Sequence, residues 1–223
     1  TGLPPTGSLS RTAHAGCLSF EMSSGRHRFI VNSGSPKFAG RRYVQIARTT
    51  AAHTTVTVND TSSSRFAPSD FIANVITDGV KTVNVDRALA DDGRDVIKAS
   101  HDGYLNAFGV LHERELTLNA TGLIVTGCDR LLAPEGKVEE AVRAVARFHA
   151  HPSINLKQID KESIMMTAPD GETWLFSSPG NEVLIGEDVF FADASGICGS
   201  DQIEIGLSYP DRPEIRWFLS RKS

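Results

Sequence analysis

Short segments in which apolar and polar residues alternate follow one another along most of the chain. Alternation with a period of two is typical of half-buried strands, because successive side chains point to opposite faces of a sheet. The predicted strands after residue 80 are Lys81–Asp86, Asp95–Ser100, Val110–Leu118, Leu123–Cys128, Asn155–Ile159, Ser163–Thr167, Thr173–Ser177, Glu182–Ile185, Asp188–Ala192, Gln202–Tyr209 and Ile215–Ser220. Turn-forming residues separate them, and the series predicts an all-β fold, a large antiparallel β-sandwich of curved, stacked sheets.

Three stretches are less regular. Residues 1–13 predict a linker or lead-in, which leaves residues 14–223 as the sandwich domain. Residues 60–79 contain many turn formers and predict a loop that packs through Phe66, Phe71 and Ile76. Residues 136–150 fit either a helix, from the run VEEAVRAVA, or a strand at residues 141–149.

The stretch of residues 11–60 predicts three further strands. Two apolar runs, Cys17–Met22 and Phe29–Asn32, are joined by a turn at residues 23–26. After a Gly/Pro/Arg loop comes a third strand, Thr54–Val58. If the first two strands form a hairpin and the third pairs beside it, their ends lie close together.

Two histidines flank these predicted strands. His14 precedes the first strand and His53 precedes the third, while Asn32 ends the second. Two imidazoles and an oxygen donor at neighbouring strand ends could hold a metal such as zinc. The alternative is that the histidines are hydrogen-bonded residues that fix the strand ends.

Composition and missing motifs exclude several classes of function. The net charge of −4 gives no support for a general nucleic-acid binder, and no apolar run approaches the roughly 18 residues of a membrane span. Nucleotide-binding glycine motifs, HExxH and GxSxG are absent. The chain has three cysteines and no CxxC pair, so it is not a small disulfide-built domain.

A set of short motifs carries a family resemblance. They are HAGCLSFEM from residue 14, FIVNSG from residue 29, RTTAAHTTVTVND from residue 48, HDGY at 101–104, HER at 112–114, RFHAHP at 147–152 and APDGETWLF at 168–176. In this order and spacing they resemble the C-terminal β-domain of the heparinase II/III-like family of polysaccharide lyases. The resemblance favours the strand at residues 141–149.

The resemblance also implies a chemistry and a setting. Lyases of this kind carry out β-elimination on a uronic acid: the carboxylate is neutralised, a base removes the C5 proton, and the glycosidic oxygen leaves with a proton. The implied partners are an acidic, uronic-acid-containing polysaccharide and an N-terminal helical toroid outside this chain, with no nucleic acid and no membrane span. The implied location is the periplasm or cell envelope, and the implied cofactor is zinc.

The family's His/Asp/His zinc site corresponds here to His14, Asn32 and His53. An amide therefore stands where the family has a carboxylate, and an amide oxygen is a poorer zinc ligand. Thr12 occupies the position of a family histidine two residues before the first zinc ligand, and a threonine cannot act as a base at neutral pH.

Five residues are candidate substrate contacts, one from the resemblance and four from the chemistry of their side chains. Tyr43 is the nearest counterpart of a catalytic tyrosine in the loop after the second strand, and Arg41, Arg42 and Arg48 could bind a sugar carboxylate through paired hydrogen bonds. The alternative is a solvated basic loop. Tyr104 could stack on a sugar ring or cap the core.

For the other polar residues the sequence pattern favours structural roles. Alternation places His112 and Arg114 on one face of a strand, as in a cross-strand polar network. His149 and His151 also share a face, and a structural role is favoured over metal chelation.

Three functions remain open from the sequence. The first is the β-domain of a polysaccharide lyase, which forms one wall of the substrate cleft and is inactive alone. The second is a carbohydrate-binding or structural sandwich that has lost lyase activity. The third is a sandwich for cell-envelope assembly or protein contact, without a glycan role.

Overall fold

The computed structural model describes residues 2–36, 40–67, 75–134, 138 and 140–222. The strands in these residues are β1 (Met22–Ser24), β2 (His27–Val31), β3 (Val56–Val58), β4 (Ser64–Phe66), β5 (Ile76–Gly79), β6 (Val83–Leu89), β7 (Asp95–His101), β8 (Leu111–Leu118), β9 (Ile124–Leu132), β10 (Val142–Ala150), β11 (Asn155–Asp160), β12 (Ser163–Thr167), β13 (Thr173–Ser177), β14 (Val183–Asp193), β15 (Gly196–Tyr209) and β16 (Glu214–Lys222). The helices are α1 (Arg41–Ala47) and α2 (Leu105–Phe108), and 3-10 turns span Gly7–Thr12 and Thr50–Ala52. None of the helices in the described ranges is long and apolar enough to cross a membrane.

The strands form two large sheets and one small one. In the first sheet the order is β1-β2-β10-β15-β14, and β3 also pairs with β10. The second sheet has the order β11-β12-β13-β16-β9-β8-β7-β6, and β4 pairs with β5 alone. The pairings between these strands are antiparallel. The predicted all-β antiparallel sandwich is confirmed.

The inner faces of the two large sheets share one hydrophobic core. Every second residue of β10 from Val142 to Phe148 is buried, as alternation requires of a strand with one face on the core. The Phe148 ring packs edge-on against Trp217 of β16, with ring centroids 4.8 Å apart. The strand interpretation of residues 141–149 is therefore confirmed, since a helix would not place alternate residues on one face.

The first predicted strand, Cys17–Met22, is wrong over most of its length. The strand begins only at Met22, and residues 25–26 form the turn of the hairpin. The carbonyls of residues 17 and 18 do not enter a ladder, because side chains of Thr55 and Arg114 donate to them. Leu18 also has a φ of 59°, which lies outside the strand region.

The third predicted strand does not pair beside the hairpin. Both β2 and β3 pair with β10, where Val31 lies opposite His149 and Val56 lies opposite Ala146. The described residues between them, 32–36 and 40–55, lie outside the sheet, and both strands pair with the same edge of β10. The end of β2 and the start of β3 therefore lie close together, as the sequence predicted. The reason is that both strands pair with β10, and not that they pair with each other.

Other elements also differ from the prediction, and β15 begins six residues before the predicted Gln202. Helix α1 follows the predicted Gly/Pro/Arg loop at a place where no helix was predicted, and at seven residues it is too short to show a clear helical period. The predicted loop of residues 60–79 contains β4 and β5, while its Phe71 lies outside the described residues. Strand β14 is continuous, where two strands, Glu182–Ile185 and Asp188–Ala192, were predicted.

Candidate functional site

The chain from Ser10 to Leu18 is held in place by side chains of other segments. It forms no strand, so its carbonyl groups need partners from elsewhere. These carbonyls accept hydrogen bonds from Arg48 (Ser10 and Ala13), Thr50 (Ala15), Thr55 (Cys17) and Arg114 (Leu18), over 2.7 to 3.0 Å. His14 therefore lies in a segment that is irregular and yet anchored along its length.

His14 and His53 contact each other directly. Their Nδ1 and Nε2 atoms are 3.1 Å apart, and the rings are nearly perpendicular. His53 Nδ1 lies 2.7 Å from the Thr49 carbonyl oxygen, which can only accept, so Nδ1 carries the proton. In the neutral pair His53 Nε2 is thus the acceptor, and His14 Nδ1–H is the donor. Gly16 leaves room for this, because a Cβ there would lie 2.5 Å from the His53 ring.

Both imidazoles are held in the neutral form. Burial, together with the charges of His14 and His149, lowers the pKa of His53 to about 4, although the Thr49 carbonyl acts in the opposite direction. Burial and the Arg48 charge lower the pKa of His14, partly offset by the Ala47 carbonyl. Both histidines are therefore neutral at neutral pH, and the one acceptor nitrogen of His53, Nε2, is occupied by the hydrogen bond from His14.

Asn32 lies next to this pair but is engaged elsewhere. Its amide group and its backbone N–H both donate to Glu21 Oε1, over 3.0 and 3.1 Å. Its Oδ1 accepts from the backbone N–H of Thr54 at 3.0 Å. Asn32 thus joins the end of β2 to the start of β3 instead of offering a third ligand to the histidines.

The described residues do not supply the donor set of a typical zinc site. Among them, no three His, Cys, Asp or Glu side chains are grouped so as to hold a metal ion. A structural zinc site needs four ligands and a catalytic one at least three from the protein. Zinc binding stays a prediction, to be checked by metal analysis of the chain and of its His14→Ala and His53→Ala variants.

Three predicted substrate residues lie together on the surface. Arg41, Arg42 and Tyr43 form the first turn of α1 and are exposed; we refer to them as the α1 surface. The Tyr43 ring lies 6.4 Å from that of Phe191. Thr12 is also exposed, at the end of the first 3-10 turn.

Two predicted substrate residues, Arg48 and Tyr104, are buried and have structural contacts. Arg48 is 2% exposed, donates to backbone carbonyls and lies 4.3 Å from the centre of the Phe66 ring. Tyr104 is fully buried and its hydroxyl donates to the Val56 carbonyl at 2.7 Å. Burial raises the pKa of Tyr104. In this structure neither side chain has a face on which a glycan could lie.

The sequence predicted only part of a buried polar network, which contacts the backbone close to His14 and His53. The predicted face shared by His112 and Arg114 is confirmed, and both side chains donate to Asp129. Trp217 Nε1 donates to the same carboxylate at 2.9 Å. Asp129 was missed, although it is an acidic residue in an apolar strand, directly opposite Arg114. An acidic residue within an apolar run was the sequence signal for a buried carboxylate.

The two histidines of the RFHAHP motif have separate structural partners. His149 is buried and its Nδ1 lies 2.7 Å from Asp188 Oδ2. His151 Nε2 lies 3.0 Å from Arg28, and its ring packs on Phe190. These contacts agree with the structural role predicted for both.

Comparisons with known proteins agree in one family. The family model described as "Heparinase II/III-like, C-terminal" matches residues 1–217. No curated protein sequence is significantly similar to the chain. Among solved structures, the heparan sulfate lyase HepC from Pedobacter heparinus has a TM-score of 0.74 at 14% identity, with 98% of this chain and 32% of that one covered. A heparinase III gene product with methylated lysines has a TM-score of 0.68 at 11% identity, with 94% and 30% covered. The chain thus spans about a third of their length.

Proposed function

The chain belongs to the heparinase II/III-like C-terminal family, and on this basis we propose that it is the β-sandwich domain of a lyase that cleaves uronic-acid-containing polysaccharides by β-elimination. In this proposal the domain forms one wall of the substrate cleft. A helical N-terminal domain, outside this chain, forms the other wall and supplies most of the catalytic groups.

The observation that carries the proposal is that one short helix, α1, begins with the α1 surface and leads directly into a contact with the His14 segment. Helix α1 ends at Ala47, and the next residue, Arg48, accepts from the backbone N–H of Ala15 at 2.8 Å. The same helix therefore presents two arginines and a tyrosine to solvent at its start and contacts the His14 segment at its end.

The α1 surface suits an acidic sugar. A guanidinium group meets a carboxylate or sulfate with two parallel hydrogen bonds, and two adjacent arginines can neutralise a uronate before its C5 proton is removed. Tyr43 offers an aromatic face for a sugar ring and a hydroxyl at its edge. No step of this chemistry is assigned to a metal.

The proposal is tested with a fluorescently labelled heparan sulfate oligosaccharide and anisotropy titrations. The double variant Arg41→Gln/Arg42→Gln should bind at least about tenfold more weakly, since hydrogen bonds to charged groups contribute roughly 1.5–3 kcal/mol each. The control Arg87→Gln/Arg94→Gln removes the same charge from the β6–β7 hairpin and should leave the affinity nearly unchanged. Equal losses in both variants would mean that binding depends on the net charge of the chain and not on the α1 surface.

Activity is measured by the absorbance of unsaturated uronate products. We expect no turnover by this chain on heparin, heparan sulfate or alginate, because it holds only part of the implied catalytic set. Robust turnover by the isolated chain would contradict its role as a single wall of the cleft.

The alternative is a glycan-binding or structural sandwich that has lost lyase activity. The engagement of Asn32 with Glu21 and Thr54, together with Thr12 at the position of a family histidine, favours it. Binding without cleavage by the complete protein would support this alternative, and cleavage would exclude it.

A further inference from the structure

We propose that Arg114 is a positioning residue that ties together the two backbone segments carrying His14 and His53. Its role for a substrate rests on the proposed function, but the geometry it sets does not. The side chain lies on β8, is 2% exposed and faces the core between the two sheets. It touches neither imidazole, so it acts through the backbone.

One nitrogen of Arg114 bridges the two segments. Nη1 donates to the Leu18 carbonyl at 3.0 Å and to the Thr54 carbonyl at 2.7 Å. Thr54 follows His53 directly, and Leu18 lies four residues after His14. The two acceptors belong to segments that do not pair with each other as strands, and Arg114 joins them from a third element, β8, alongside the Thr55–Cys17 hydrogen bond.

The opposite edge of the guanidinium is fixed by a buried carboxylate. Nε and Nη2 donate to the two oxygens of Asp129, over 2.7 and 3.1 Å. Asp129 is fully buried and is itself oriented by donors from His112 and Trp217. Four hydrogen bonds, two to Asp129 of β9 and one to each of the two segments, thus fix the plane of Arg114.

The bridge also explains an unusual backbone conformation. Leu18 has a φ of 59°, which costs on the order of 1 kcal/mol or more for a residue other than glycine. Its carbonyl is the one that Arg114 holds. The contact therefore stabilises the turn that brings the chain back from His14 to the sheet.

A lysine cannot replace this arrangement. Its single ammonium group could pair with Asp129 but lacks the planar fork that reaches two carbonyls on one side and a carboxylate on the other. Arg114→Lys thus preserves the buried charge pair and removes the bridge. Arg130→Lys is the matched control. Arg130 lies on the neighbouring strand β9 and pairs with Glu113 and Glu214, and it contacts neither segment.

The test is a long-range ¹H–¹⁵N NMR spectrum of the imidazoles in the full chain at neutral pH. In the parent chain and in Arg130→Lys, the spectrum should show His14 protonated at Nδ1 and His53 Nε2 accepting a hydrogen bond. In Arg114→Lys, that signature should be lost, with His14 shifting toward the tautomer mixture of a free imidazole. A purely structural role would lower the unfolding midpoint and leave these signals in place.

If Arg114→Lys does not fold, the spectrum is recorded on Arg114→Met/Asp129→Leu, which replaces the buried pair with apolar side chains, an exchange that is often tolerated. Unchanged His14 and His53 signals in the folded variant overturn the proposal. Because no glycan is present in this experiment, its outcome is independent of whether the proposed function holds.

Discussion

Replacing Asp129 with asparagine should be among the most destabilising single changes in this chain. The carboxylate is fully buried and accepts hydrogen bonds from His112, Trp217 and twice from Arg114. Burial alone would raise the pKa of Asp129, but Arg114 and His112 outweigh it and keep the pKa well below its usual range. The group is therefore ionised and paired in the native state at neutral pH.

The size of the effect follows from what asparagine leaves behind. Each oxygen of Asp129 accepts from two donors, so whichever way the amide is placed, its NH2 group faces two N–H donors. The Arg114 charge also loses its buried counter-ion, and breaking a buried pair in this way costs about 3–5 kcal/mol. The two costs overlap, and we expect a loss of about 4 kcal/mol, a large part of the roughly 5–15 kcal/mol of a typical domain.

The measurement is urea unfolding at pH 7, followed by tryptophan fluorescence. The control is Glu214→Gln, which removes the same charge from a carboxylate that pairs with Arg130 and Arg216 but is 37% exposed. Exposed pairs contribute about 1 kcal/mol or less. If Asp129→Asn lowers the unfolding free energy by no more than Glu214→Gln, with an unchanged m-value, the network is not the stabilising element described here.

Three further predictions concern the core and the histidine pair. Gly127→Ala should cost about 1–3 kcal/mol, because its Cβ would lie 2.0 Å from the Trp217 ring, whereas Gly199→Ala meets nothing within 4 Å and should be neutral in the same thermal melts. In metal-free protein, the unfolding free energy should fall as the pH drops from 6.5 toward 4, since the unfolded state takes up a proton on His53 before the folded state does. A pKa lowered from 6.5 to about 4 corresponds to about 3 kcal/mol. A His53→Gln variant should lose this part of the pH dependence and keep the part that comes from the buried His101 and His112. Asn32→Asp should lower the unfolding free energy by about 1 kcal/mol at pH 7, because the new carboxylate would face Glu21. The double variant Asn32→Asp/Glu21→Gln should recover this loss. If Asn32→Asp alone melts at the same temperature as the parent chain, the contact with Glu21 does not contribute as described.

The sequence by itself determined the fold class and most of the second sheet. Ser163–Thr167 and Thr173–Ser177 were predicted with the bounds that the structure has, as was the turn between them. The reason is that alternation and turn chemistry are local properties, which the chain shows wherever one face of a strand is buried. The closeness of His14 and His53 was also predicted, from strand ends alone.

Only the tertiary structure decided which polar residues serve the site and which serve the fold. Arg48 and Tyr104 were candidate substrate contacts, with core capping as the alternative for Tyr104, and the structure shows both donating to backbone carbonyls in the interior. The run at residues 17–21 reads as a strand, yet its carbonyls are taken by Thr55 and Arg114, whose positions depend on distant pairings. Hydrogen bonds between segments far apart in sequence leave no periodic signal, and for that reason the anchoring of the histidine pair became visible only in the folded chain.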